Sequence, residues 1–319
     1  MRIVYMGTPA FACKPLVALH ESRHELLAAV TGSDKRRGRG NKTCPTEVCD
    51  AAVEIGLPII KAKSLKSDRL YDKLAALKPD LFVVVAFRIL PERLFTLPTY
   101  GSINLHASLL PRYRGAAPIN WALINGEKET GLTSFFLRKA VDQGDVILQE
   151  RIAIHDDDNY DSLVARLSDL SGPFLLRTLD LIEQPGFKPL VQDDKAATPA
   201  PKLTPEGCLI DFGFPAEKVR NFVRGLSTRP GAMTTFRSLN VKILACRTAG
   251  SIGADNTRPG SILPDKKRLL IQCAQSAIEI TSLVLQGRKE MDGRSFMNGF
   301  RPQPGELFGE VLQGAKEDA

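Results

Sequence analysis

The first hundred residues alternate short, almost wholly apolar runs with stretches whose apolar positions recur every three or four residues. Runs of the first kind are "RIVYM" (2–6), "ELLAAVTGS" (25–33) and "DLFVVVAF" (80–87). Their brevity and β-branched content predict strands, and the unbroken apolar texture of the last predicts one covered on both faces, central in a parallel sheet. Between them, "PLVALHES", "PTEVCDAAVEIG" and "DRLYDKLAALKP" carry helical spacing, the second ended by Gly56 and the third stopped by Pro79. Strand, helix, strand in this order predicts an α/β unit: a Rossmann-like domain with crossover helices on a mostly parallel sheet.

"GSINLHAS" (101–108) breaks that texture, because apolar and polar positions alternate. The two-residue period puts Asn104, His106 and Ser108 on one strand face, near the carboxyl end where α/β sheets place their sites. "TGLTSFFL" and "DVILQERIAI" predict two more strands, and a long helix runs from Tyr160 to Glu183. Residues 184–207, rich in Pro, Lys and Asp without periodicity, read as an extended linker. After a short helix near 215–226, "GAMTTF", "VKILACRT", "GSIL", "RLLIQC" and "AIEITSLVL" predict a small C-terminal β-barrel. The expected division is a catalytic domain over 1–186, a linker over 187–206 and the barrel over 207–319.

A 319-residue chain with 43% hydrophobic content suits two soluble domains. Its net charge of +7 favours an anionic partner, and the location of that charge is more informative. "DKRRGRGNK" (34–42) gathers Lys35, Arg36, Arg37, Arg39 and Lys42 in a glycine-containing loop. The six cysteines are scattered, which fits neither a disulfide framework nor a zinc site, so no metal is expected. The amino terminus lacks the apolar region of a signal peptide and no run approaches a membrane span, so a cytoplasmic protein with no membrane partner is expected.

A histidine that exchanges a proton near neutral pH and an asparagine amide that donates to a developing oxyanion call for a carboxylate to charge-stabilise the imidazole. "AVDQGDVI" offers two, Asp142 and Asp145, and spacing alone does not choose between them. No G-x-S-x-G elbow surrounds Ser108, and neither a G-x-G-x-x-G nor a Walker loop is present. Nucleophilic serine, dinucleotide and ATP chemistry are therefore disfavoured. In "PRYRGAAP", Arg112 and Arg114 flank an aromatic, as a solvated loop or a platform for an anion would.

"NLHASLLPRYRGAAPI" followed by "DQGD" resembles the formyltransferases that use 10-formyltetrahydrofolate as co-substrate. The resemblance extends over nearly the whole chain, through "RIVYMGTPAFA", "ATPAPKLTPEGCLIDF", "NFVRGLSTRPGAMTTF" and "AIEITSLVLQGRKEM", and it implies that the C-terminal barrel is OB-like. Carried over by position, the family's catalytic Asn, His and Asp fall on Asn104, His106 and Asp142, which leaves Asp145 a structural role in the turn. Ser108, Leu109, Leu110 and Pro111 match the folate-contacting segment, and Phe87, Ile89 and Leu90 would flank the pteridine. Arg88 stands where the family usually has glycine, and Ala10 where it has an acid.

The resemblance is nearest to the branch acting in translation initiation, in which the basic loop enters the acceptor end of a tRNA. It implies an enzyme that moves formyl to the α-amino group of methionine on initiator methionyl-tRNA, by direct acyl transfer through a tetrahedral intermediate; a monomer is expected. Two alternatives share the scaffold, a sugar-nucleotide formyltransferase and a non-catalytic RNA-binding protein. Intact Asn104, His106 and Asp142 argue against the second.

Overall fold

The computed structural model describes residues 1–37, 42–250 and 257–309. Two compact units divide the chain: one comprises 1–118, 129–153 and 164–201, the other 119–128, 154–163 and 202–319. In chain order the elements begin with β1 (Arg2–Gly7), α1 (Cys13–His20), β2 (Glu25–Gly32), β3 (Lys35–Arg37), β4 (Lys42–Cys44), α2 (Glu47–Glu54), β5 (Ile59–Ala62), α3 (Asp68–Ala76), β6 (Leu81–Val85) and α4 (Glu92–Phe95). There follow β7 (Ser102–His106), β8 (Arg114–Gly115), α5 (Pro118–Ile124), β9 (Glu129–Phe136), β10 (Val146–Ala153), α6 (Tyr160–Glu183) and β11 (Pro199–Ala200). The last part of the chain forms α7 (Ala216–Leu226), β12 (Ala232–Phe236), β13 (Leu239–Thr248), β14 (Leu269–Gln272), β15 (Ala277–Leu285), β16 (Glu290–Asp292) and α8 (Gly293–Phe300).

The first unit is built on a seven-stranded sheet of order β10-β9-β7-β6-β1-β2-β5. All pairings from β5 to β7 are parallel, as the apolar runs of the sequence predict for a Rossmann-like sheet, and β9 and β10 join antiparallel. Every residue of β6 is buried, consistent with its central place. The chain winds from β1 to β2 and β5 on one side and returns to β6 and β7 on the other, so the strand order reverses between β1 and β6. Ligands of open α/β sheets bind in the crevice beyond the carboxyl ends at such a reversal. Gly7 closes β1 there because a Cβ would lie 2.7 Å from the Ala12 Cβ and 3.2 Å from the Val85 carbonyl. Thr46 caps α2 by accepting from Cys49 N at 3.1 Å, and Gly56, at φ +67°, follows its end as the sequence predicts.

Three features of this unit escape the hydrophobic pattern. β5 is only four residues of "GLPIIKAKS", too short to show a period. The basic loop contains a two-stranded ribbon, β3 against β4, whose polar residues give no strand signal. The segment read as an extended linker is docked: Leu190 exchanges two backbone hydrogen bonds with Val146 at 2.7 and 2.8 Å, and β11 lies parallel to β8. Pro199, which has no N–H to donate, is tolerated in so short an edge pairing.

The second unit holds an antiparallel OB-like half-barrel, order β12-β13-β15-β14 with β16 paired to β15. Phe236, Phe296 and Phe308 pack as a buried aromatic cluster, with Phe236 centroids 5.2 and 5.0 Å from the other two. "GSIL" forms isolated bridges, Ser261 to Leu307 and Ile262 to Ile271, because it is confined between Gly260, at φ +91°, and Pro264. α8 follows the last strand; Asp292 caps it by accepting from Ser295 N at 2.6 Å.

Candidate active site

β7 delivers two polar side chains to the carboxyl edge of the sheet. Asn104 and His106 share a face by the two-residue period, and in the antiparallel register with β9 they lie opposite Phe135 and Thr133. Asn104 is half-buried, and its amide has no protein hydrogen-bond partner among the described residues. His106 is buried, and its Nε2 lies 2.8 Å from the Tyr113 carbonyl oxygen. A carbonyl only accepts, so Nε2 carries a proton and donates it, leaving Nδ1 as the nitrogen that exchanges protons.

Nδ1 faces Asp142, whose Oδ2 is 3.9 Å away. Both side chains are nearly dry, 7% and 11% exposed, so their interaction is weakly screened. Asp142 sits at φ +55° and its Oδ2 accepts from Gly115 N at 2.9 Å. Gly115 itself needs φ +127°, and a Cβ there would fall 2.5 Å from the Ala200 carbonyl oxygen. Asp145 points elsewhere: it pairs with Arg138 at 2.5 Å. The two acids of the turn are thus separated by geometry, with Asp142 toward the imidazole.

Ser108 lies beyond the end of β7, fully buried, and donates to the Arg112 carbonyl at 2.7 Å, which closes the loop over 108–112. Thr133 fastens the same loop: its hydroxyl donates to Ser108 O at 2.6 Å and accepts from Leu110 N at 3.1 Å. Leu110 is buried, whereas Leu109 and Pro111 are half-buried. After β6, Ala86 turns at φ +47°, Phe87 is half-buried, Leu90 is buried and Ile89 is 73% exposed. Arg88 is tied back to the end of β5, donating to Ala62 O at 2.5 Å and Lys63 O at 3.0 Å.

Arg114 is not an open anion platform, because its guanidinium is committed to the docked segment. It donates to Gln192 Oε1 at 3.2 and 2.8 Å and pairs with Asp194 at 2.7 Å. Thr198 contributes as well, its Oγ1 accepting from Tyr113 N and its carbonyl from Arg114 N, both at 2.9 Å. Gln192 and Thr198 are functional-site neighbours that the sequence pattern does not disclose; both are polar residues in a proline-rich stretch, far along the chain from the groups they touch. Of the basic cluster, Lys35, Arg36 and Arg37 lie in β3 and Lys42 in β4, with Arg37 opposite Lys42; Arg39 lies outside the described residues.

Among the described residues, no group of three or more His, Cys, Asp or Glu could hold a metal ion, and no helix is long and apolar enough to cross a membrane.

At the carboxyl edge of the Rossmann-like sheet, buried His106 thus faces half-buried Asp142, with Asn104 on the same strand face. The family model described as formyl transferase matches residues 1–179, and that of the formyl transferase C-terminal domain matches 202–301, so the chain is a formyltransferase. Methionyl-tRNA formyltransferase of Caldanaerobacter subterraneus subsp. tengcongensis is 41% identical over 310 residues, covering 97% of this chain and all of the relative. The enzyme of the same name from Geobacter sulfurreducens is 41% identical over 313 residues, 98% of each chain. The chain belongs to the methionyl-tRNA formyltransferase family.

Among solved structures, HypX from Aquifex aeolicus in complex with tetrahydrofolic acid superposes with a TM-score of 0.62 at 19% identity; all of this chain is covered, but it spans only 48% of that longer protein. The N-formyltransferase from Helicobacter canadensis, in complex with folinic acid and dTDP-3-aminofucose, gives a TM-score of 0.64 at 14% identity over 87% of this chain and 98% of that one. At these identities the likeness is one of fold.

Proposed function

We propose that the chain transfers the formyl group of 10-formyltetrahydrofolate to the α-amino group of methionine on initiator methionyl-tRNA, acting as a cytoplasmic monomer. The observation that carries this reading is the facing of His106 Nδ1 by Asp142 at 3.9 Å, in a chain of this family. The residues beyond the carboxyl ends of the strands fit a folate. Ile89, 73% exposed, and half-buried Phe87 offer an apolar surface for a flat ring. No backbone–backbone hydrogen bond engages 87–90 among the described residues, which leaves main-chain donors and acceptors for the ring's polar edge. Ser108 to Pro111 would form the facing wall.

The co-substrate supplies a formyl group on nitrogen, activated for attack by an amine. Asn104 donates its amide to the formyl oxygen as negative charge develops there. His106, with Nε2 already committed to the Tyr113 carbonyl, uses Nδ1 to face that charge and to carry the proton from the attacking amine toward the leaving nitrogen. Asp142, facing Nδ1, orients the imidazole for that role. With no serine or cysteine nucleophile in the constellation, transfer is direct. Residues 1–186 would carry the chemistry, 187–206 the connection, and 207–319 contacts to tRNA. Lys35, Arg36, Arg37, Arg39 and Lys42 would follow phosphates at the acceptor end.

The test is transfer of labelled formyl from 10-formyltetrahydrofolate to charged initiator tRNA, with charged elongator methionine tRNA and an amino-sugar nucleotide in competition. Transfer confined to the initiator supports the reading, and transfer to the sugar alone would replace the acceptor while keeping the chemistry.

A further inference from the structure

Gln192 lies on the docked segment after α6, fifty residues beyond Asp142. Its side-chain amide is used in full. Nε2 donates to two carbonyls of the acidic turn, Asp142 O at 2.9 Å and Gly144 O at 2.7 Å, while Oε1 accepts from Arg114 at 2.8 and 3.2 Å. The segment is anchored on both sides of it: two residues earlier Leu190 is paired to Val146, and two residues later Asp194 holds Arg114. Gln192 therefore joins the strand that ends in Gly115 to the turn that carries Asp142.

That turn needs an external hold. Asp142 has a positive φ, +55°, uncommon for a residue with a Cβ, and its carboxylate must reach both Gly115 N and the imidazole. Gly144 is pressed so closely on Phe136 that an added Cβ would lie 1.5 Å from that carbonyl oxygen, so no side chain fits there. A carboxylate oriented through its own backbone moves when the backbone relaxes. We propose that Gln192 is a positioning residue for formyl transfer: by bonding the Asp142 and Gly144 carbonyls it fixes the turn that aims Asp142 at His106, so that the docked segment after α6 sets the catalytic geometry. This deepens the function proposed above and rests on its assignment of Asp142.

Two ion pairs border this junction beside Asp142 and His106: Arg114 with Asp194 and Arg138 with Asp145; Asp193, next in the chain, accepts from Lys195 N. A glutamate at 192 would keep the acceptors for Arg114 but could not donate to either carbonyl. The variants therefore separate the hold on the turn from the hold on the arginine.

Steady-state formyl transfer is measured on the full chain for wild type, Gln192→Ala, Gln192→Glu, Asp142→Asn and the double variant Asp142→Asn with Gln192→Ala. Gln192→Ala and Gln192→Glu are each expected to lower kcat by about 10- to 100-fold, the scale of a reacting group misplaced by roughly an ångström, with KM for the folate within about threefold. In the Asp142→Asn background, Gln192→Ala should cost less than about threefold, because the group it serves is already disabled. Full activity of Gln192→Glu, or a loss that multiplies unchanged in the double variant, would overturn the inference while leaving Asp142 in place. An Asp142→Asn enzyme as active as wild type would overturn the site assignment, and the inference with it.

Discussion

Asp142, at φ +55°, holds its Oδ2 3.9 Å from His106 Nδ1 and accepts with it from Gly115 N at 2.9 Å. Asparagine is tolerated at positive φ and its carbonyl oxygen can accept from Gly115 N, so Asp142→Asn should keep the turn and remove only the charge. A loss of roughly 10²- to 10⁴-fold in kcat is expected, the range for disabling a proton-transfer partner, with KM for both substrates little changed. Single-turnover formyl transfer separates chemistry from product release; a chemical step slowed less than tenfold would remove Asp142 from the mechanism.

Among the described residues Asn104 has no protein partner for its amide, so truncation strands no buried group there. Asn104→Ala should therefore fold as wild type and lose about 10²- to 10³-fold in kcat, the usual effect of removing one oxyanion donor. Circular dichroism melting reports the fold and initial rates report the chemistry. A rate within about threefold of wild type would show that the amide does not meet the developing charge.

Much of this site is legible in the chain because its parts are local. The alternation in "SINLH" puts Asn104 and His106 on one face, and the apolar runs place that strand in a parallel sheet. The choice of Asp142 over Asp145 is not local: it depends on a positive φ and on Arg138 drawing Asp145 away, neither of which spacing encodes. Gln192 and Thr198 are illegible for a different reason. Their partners, Asp142 and Tyr113, are 50 and 85 residues away, and a polar side chain in a proline-rich stretch has no period to betray which surface it meets. The same stretch reads as a linker because its apolar residues, Phe187, Leu190 and Val191 among them, follow no strand or helix period, although Leu190 pairs with Val146 and β11 with β8.

Gly115 tests that pairing. Its φ of +127° is glycine territory, and a methyl group would come within 2.5 Å of the Ala200 carbonyl oxygen. Gly115→Ala should cost about 2 to 4 kcal/mol, combining backbone strain with displacement of a packed strand. It should also move the N–H that Asp142 accepts, so activity falls further than stability requires. Urea unfolding gives the first quantity, and the rate measured well below the unfolding midpoint gives the second. Wild-type stability in this variant would mean that β8 and β11 are not held as described.

A stability change with pH is expected from His24, remote from the catalytic pair. Its side chain is 2% exposed, its Nδ1 lies 3.3 Å from the N-terminal ammonium, and Glu183 Oε1 is 3.8 Å away. Burial, and then the ammonium, hold its pKa below the ordinary histidine value despite the pull of Glu183. The unfolded chain therefore takes up a proton at this position, near pH 6.5, before the folded one does. As pH falls through that value the unfolded state gains protons preferentially and folding weakens, levelling off only once the folded pKa is passed. One such group contributes at most about 1.4 kcal/mol per pH unit. Urea unfolding at pH 5.5 and 7.5 should show the wild type weaker at the lower pH, and His24→Gln, which cannot titrate, should show a smaller difference between the two. An unchanged difference would mean that His24 protonates as readily in the folded protein as in the unfolded chain, and that the N-terminal ammonium and the surrounding core do not govern it.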